Sequence, residues 1–86
     1  MRYIVVSTNT SDATDLLAAE GERATQLVAD GVFLTVWPKA DMTGAVVLAE
    51  AADDEAIRRA LDTMPTIAAE AGTYEIIPLL EGASRP

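Results

Sequence analysis

An 86-residue chain with no histidine and no cysteine has few side chains able to move a proton near neutral pH. Carboxylates, the single lysine Lys39 and the tyrosines Tyr3 and Tyr74 are what remain. Glu20 stands apart among them. Residues 12–30, DATDLLAAEGERATQLVAD, read as one amphipathic helix. At about 100° per residue, Ala13, Leu16, Leu17, Ala24, Leu27 and Val28 fall on a single stripe. Glu20 lies inside that stripe, whereas Glu22 points to the other side. Burying a carboxylate costs several kcal/mol unless it is paired, hydrogen-bonded or protonated, against a total stability of roughly 5–10 kcal/mol for a chain this small. Glu20 is therefore a local accommodation or the working end of a site. As a site, it is a general acid or base, because an apolar setting suits a carboxyl group to proton transfer at the working pH. As an accommodation, it snorkels past Ala19, Gly21 and Ala24 to water or to an arginine such as Arg23.

The rest of the chain has to position that acid. Arg2–Thr8 is short and β-branched, as a buried strand should be. Ser11 or Asp12 can cap the helix that follows, and Gly31 ends it. Val32–Trp37 (VFLTVW) is a second strand, with Phe33, Thr35 and Trp37 on one face and Val32, Leu34 and Val36 on the other. Pro38 breaks it, PKADMTG connects, and Ala45–Ala51 is a third strand. Asp53 and Asp54 cap a second helix whose stripe is Ala56, Ile57, Ala60, Leu61 and Met64. Pro65 ends or kinks it, and 66–72 has room for one more helical turn. Tyr74–Leu80 is the fourth strand, with Pro78 marking an edge or a bulge, and Glu81–Pro86 reads as a frayed tail. Each tyrosine is expected to pack its ring and let the hydroxyl reach water.

The order βαββαβ is the ferredoxin-like unit: an α+β fold with a four-stranded antiparallel sheet, here one domain over 1–86. Both helices cover one sheet face, yet Val46, Leu48 and Ile77 show that the other face is apolar too. A second copy, sheet against sheet, is the simplest cover and gives a dimeric α/β barrel. Half of the residues are hydrophobic, which favours such an interface.

Six Lys/Arg against fourteen Asp/Glu give a formal charge of −8. Nucleic acid binding needs a basic stripe, and anionic lipid would repel this surface. Missing cysteine and histidine exclude disulfides, thiolate metal sites and every Ser-His triad, so no metal is expected. The start MRYIVVSTN enters a strand directly, without the features of a signal peptide, and no apolar run reaches the length of a membrane span. The simplest expectation is a cytoplasmic protein.

Glu20-x3-Ala24-x2-Leu27-x3-Gly31, the strand ending in Val36-Trp37, then Leu61-x2-Met64-Pro65 and Ile76-Ile77-Pro78-Leu79 follow one another over residues 16–80. In that order they resemble the muconolactone isomerase-like family of dimeric α/β barrel proteins. The resemblance implies a cofactor-free isomerase that moves a proton in an unsaturated lactone carrying a carboxylate, assembled as dimers that can stack into rings. It places the family's helix glutamate at Glu20 and makes Trp37 one wall of a flat apolar pocket, with Phe33 and Thr35 sharing its face. The family's Trp is usually followed by arginine, a clamp for a substrate carboxylate. Pro38 stands there in this chain, and Lys39 is the stand-in whose ammonium could meet a carboxylate or enolate. Arg23, one turn from Glu20, is the remaining candidate contact, as an ion-pair partner or toward a ligand. The competing expectations are a non-catalytic small-molecule-binding or assembly module on the same scaffold, and a natural-product tailoring enzyme such as a cyclase or cofactor-independent monooxygenase.

Overall fold

The computed structural model describes residues 1–80, apart from the side chains of residues 11–13; the tail expected at 81–86 lies outside the described residues. The elements run β1 (Arg2–Asn9), a 3-10 segment (Ser11–Leu16), α1 (Leu17–Ala29), β2 (Phe33–Pro38), β3 (Ala45–Glu50), α2 (Asp54–Asp62), the one-turn α3 (Pro65–Ala68) and β4 (Gly72–Pro78). The four strands form one antiparallel sheet in the order β2-β3-β1-β4, the α+β ferredoxin-like arrangement. β4 is an edge strand, which accounts for Pro78 at its end.

The helix expected over 12–30 is two segments. Its first part, SDATDL, is 3-10, and α geometry begins only at Leu17. Short polar side chains compete for backbone groups and disfavour an α start, whereas the Ala-rich LAAEGERA that follows favours one. Thr10 rather than Ser11 or Asp12 occupies the N-cap position, and its hydroxyl donates to the Ala71 carbonyl at 3.1 Å. The other end behaves as read. Gly31 has φ +80°, and the amides of Gly31 and Val32 turn back to the carbonyls of Val28 and Leu27 at 3.1 and 2.9 Å, a Schellman closure.

Asp53 caps α2, its Oδ1 accepting the Ala56 N–H at 2.8 Å, with Asp54 and Glu55 favourably placed in the first turn. The substitution Asp53→Ala should lower stability by about 1 kcal/mol. Thermal unfolding should then show Tm falling by roughly 4–8 °C; an unchanged Tm would mean the cap contributes nothing.

The helix face of the sheet carries the core: Tyr3 and Val5 of β1, Val47 and Ala49 of β3 and Phe33 of β2 pack under Leu27, Ile57, Leu61 and Met64. Tyr3 departs from expectation. It is 0% exposed, and its hydroxyl is buried without a hydrogen-bond partner in good geometry, facing the start of α2. Burial first, then the nearby Asp54 carboxylate, push its pKa up.

A bulge in β2 sets which residues share a face. Phe33 lies opposite Ala49 and Thr35 opposite Leu48, so Leu34 is the extra residue. Phe33, Val36 and Pro38 therefore face the helices, while Thr35 and Trp37 turn to the other side. The expected Phe33/Thr35/Trp37 face does not form, because one inserted residue flips every later side chain. The second sheet face is apolar as read: Ile4, Val6, Val46 and Leu48 line its centre, with Trp37 and Ile77 exposed at 51% and 42%. Among the described residues, no helix is long and apolar enough to cross a membrane.

Candidate active site

Between α1 and the sheet lies a cavity of about 370 Å³, toward the small end of the range for ligand sites. Its floor comes from Val5, Ser7 and Asn9 of β1, Ala45 and Val47 of β3, and the bulged strand's Phe33, Val36 and Pro38. Leu17, Glu20, Gly21 and Ala24 of α1 form the roof, Leu61, Met64 and Ile67 close one side, and Met42 and Gly44 stand at the loop end. The space exists because α1 seals only at its C-terminal half. Leu27 is its one buried residue, and a Cβ added at Gly21 would meet nothing within 4 Å. The small residues one turn around Glu20 leave the roof raised.

Glu20 is half-buried, and both its oxygens are held by one residue. The Thr66 backbone N–H donates to Oε1 and the Thr66 hydroxyl to Oε2, each at 2.9 Å. Thr66 itself is 1% exposed. The local chain explains the contact. Pro65 takes the first position of α3 and has no N–H, so Thr66 carries the first free amide of that turn. Glu20 supplies the acceptor from across the fold. An ionised carboxylate has about four acceptor sites, so this clamp fixes the group and leaves capacity on each oxygen.

The other polar groups are few. Ser7 is spent within the sheet, its Oγ accepting the Ala45 N–H at 3.0 Å where the β1–β3 ladder ends. Gly44, at φ +146°, lies so close to the Ser7 carbonyl that a Cβ would overlap it. Tyr74 shows its ring to the cavity and donates its hydroxyl to Asp62 at 3.0 Å. Burial, then that acid, push its pKa up, partly offset by Arg58. In the loop beside the cavity, the Thr43 hydroxyl and amide hold Asp41 below the usual carboxylate range. Among the described residues, Asn9 is the one lining residue whose side chain carries N–H donors.

Of the residues singled out in the sequence, Glu20 and Phe33 line the cavity together. Trp37 and Thr35 lie on the opposite sheet face. Lys39 donates to the Thr8 hydroxyl at 3.1 Å, and Thr8 alternates with Ser7, so it belongs to that opposite face. Arg23 does not meet Glu20; its Nε donates to Thr63 Oγ1 and its Nη1 to Gln26 Oε1, both at 2.9 Å. Thr66, Asn9 and Gly44 were missed. For Thr66 a signal exists, since a proline opening a helical turn leaves the next amide in need of an acceptor.

A ferredoxin-like sheet with a ligand-sized, largely apolar cavity and one fixed acid defines a small α+β domain with a candidate ligand site. The chain belongs to the muconolactone delta-isomerase family, whose model matches residues 3–84. Its fold is similar to that in a 3.3 Å crystal structure of muconolactone isomerase, with a TM-score of 0.80 over 99% of this chain and 94% of that one, at 23% identity. Comparison with curated protein sequences gives no significant match.

Proposed function

We propose that this protein is a cofactor-free isomerase that shifts a proton in an unsaturated lactone or related small carbonyl compound, with Glu20 as the acid and base. The observation that carries the reading is the Glu20 carboxylate fixed by Thr66 in the roof of a largely apolar cavity. In this reading Glu20 takes a proton from the carbon next to the lactone carbonyl, the electron pair moves into a dienolate, and the same group returns the proton at the far end of that system. The Asn9 amide is the donor available to the enolate oxygen. Proton nuclear magnetic resonance of a methyl-substituted five-membered lactone, supplied as its β,γ-unsaturated isomer, tests this. Protein-dependent migration of the double bond is the expected result, and migration no faster than in buffer across a panel of such lactones would sink it.

A binding module without chemistry is favoured by one observation: holding Thr66 is by itself a sufficient structural use for Glu20. Binding of those lactones without migration would select that reading.

The exposed apolar sheet face supports self-association, a second copy covering Trp37, Leu48 and Ile77. Light scattering should give the wild type twice the mass of the 9.1 kDa chain. Trp37→Glu, at a site half-exposed in the single chain, should shift the mass to one chain without unfolding it. A wild type of single-chain mass, or an unaffected variant, would remove this face as the interface.

A further inference from the structure

Thr66 is held more firmly than the acid it binds. Pro65 fixes the backbone before it, and its own carbonyl accepts the Ala71 N–H at 2.8 Å. The Ala71 carbonyl in turn accepts the Thr10 N–H at 2.8 Å, which ties this turn to the end of β1. Thr66 is almost wholly buried, and Gly72 at the start of β4 lies against its Cβ. Glu20 has little such support on α1. It is half-buried, Gly21 beside it has no side chain, and Ala24 one turn on offers a single methyl. The last torsion of a glutamate sets the carboxylate plane and is the broadest of its three. One donor would fix one oxygen; two donors from one residue, each at 2.9 Å, fix the plane as well. The two also differ in kind. The amide only donates, whereas the hydroxyl donates or accepts, so the pair stays matched when the carboxyl group carries a proton.

We propose that Thr66 is the positioning residue of this cavity: its amide and hydroxyl together set the plane of the Glu20 carboxylate, so that a ligand meets the remaining acceptor sites in one orientation. Proton transfer depends on such alignment, and a displacement of about 1 Å can cost about 100-fold in rate. The kinetic consequence rests on the isomerase reading; the orientation does not. Thr66→Val keeps the shape and the amide and removes the hydroxyl, and Thr66→Ala is a second route to the same loss. In crystal structures of both variants the Glu20 carboxylate should leave its wild-type plane or take two orientations, whereas in Thr66→Ser it should stay. Isomerisation of an unsaturated lactone should show kcat lowered about 10- to 100-fold by Thr66→Val and Thr66→Ala, with KM within about threefold. Thr66→Ser should keep kcat within about threefold of wild type. On the Glu20→Gln background, Thr66→Val should cost less than about twofold, because no proton-moving group is left to align. A carboxylate unmoved in both variants, an unchanged kcat, a Thr66→Ser as slow as Thr66→Val, or a full loss on the Glu20→Gln background overturns the proposal. Wild type without turnover sinks the isomerase, and the crystal structures then decide Thr66. Normal turnover in Thr66→Val sinks the positioning role alone.

Discussion

Glu20→Gln is expected to lower lactone isomerisation by roughly 100- to 10,000-fold, the usual contribution of a positioned acid-base group. The loss should fall on kcat, with binding of a neutral lactone nearly unchanged. Glutamine suits the test because its carbonyl can accept the Thr66 amide and its NH₂ can donate to the Thr66 hydroxyl, so the roof and the start of α3 stay in place. What is removed is the capacity to take and return a proton. A variant that folds, binds and turns over like the wild type would reduce Glu20 to a clamp for Thr66. Circular dichroism and thermal unfolding on the same samples keep a folding defect from passing as a catalytic one.

The second large effect is structural. Gly44→Ala should destabilise the protein by about 2–4 kcal/mol, because the new Cβ overlaps the Ser7 backbone carbonyl at a φ of +146° that L side chains rarely adopt. The two atoms nearest that Cβ, the Ser7 carbonyl oxygen and carbon, are backbone and cannot swing away as the Ser7 hydroxyl could; either β1 or the loop entering β3 must move. At roughly 4–8 °C per kcal/mol, the fall in Tm should be easy to read by calorimetry. Gly21→Ala is the matched control. Its Cβ meets open space and α1 gains the better helix former, so stability should hold or rise by up to about 1 kcal/mol. Equal losses from the two substitutions would contradict the close approach at Gly44.

The order of the elements could be read from local features: β-branched runs, the aspartate cap at Asp53, the Gly31 stop and the breaks at Pro38 and Pro65. Glu20 was legible as well, because a carboxylate in an apolar stripe violates helix periodicity. Its partner was not. Thr66 lies 46 residues away, and only the sheet topology and the turn after α2 bring it under α1. The pocket walls failed for a different reason. VFLTVW contains no glycine to mark a bulge, so strict alternation places Phe33 with Trp37, and the extra residue at Leu34 then separates them onto opposite faces. The fates of Thr35 and Lys39 follow from that slip. Arg23 flanks the stripe, but its guanidinium goes to Gln26 and to Thr63 rather than to Glu20, and the second of these depends on α2 ending at Asp62 with Thr63 as its C-cap.

The central claim is that the Glu20 carboxylate moves a carbon-bound proton of a ligand in this cavity. Following the lactone's ring hydrogens by nuclear magnetic resonance in D₂O, with wild type and Glu20→Gln side by side, tests it most directly. Wild type should drive double-bond migration or deuterium exchange at the carbon next to the carbonyl well above the buffer rate, and the variant should not. Equal rates for the two proteins would contradict the account.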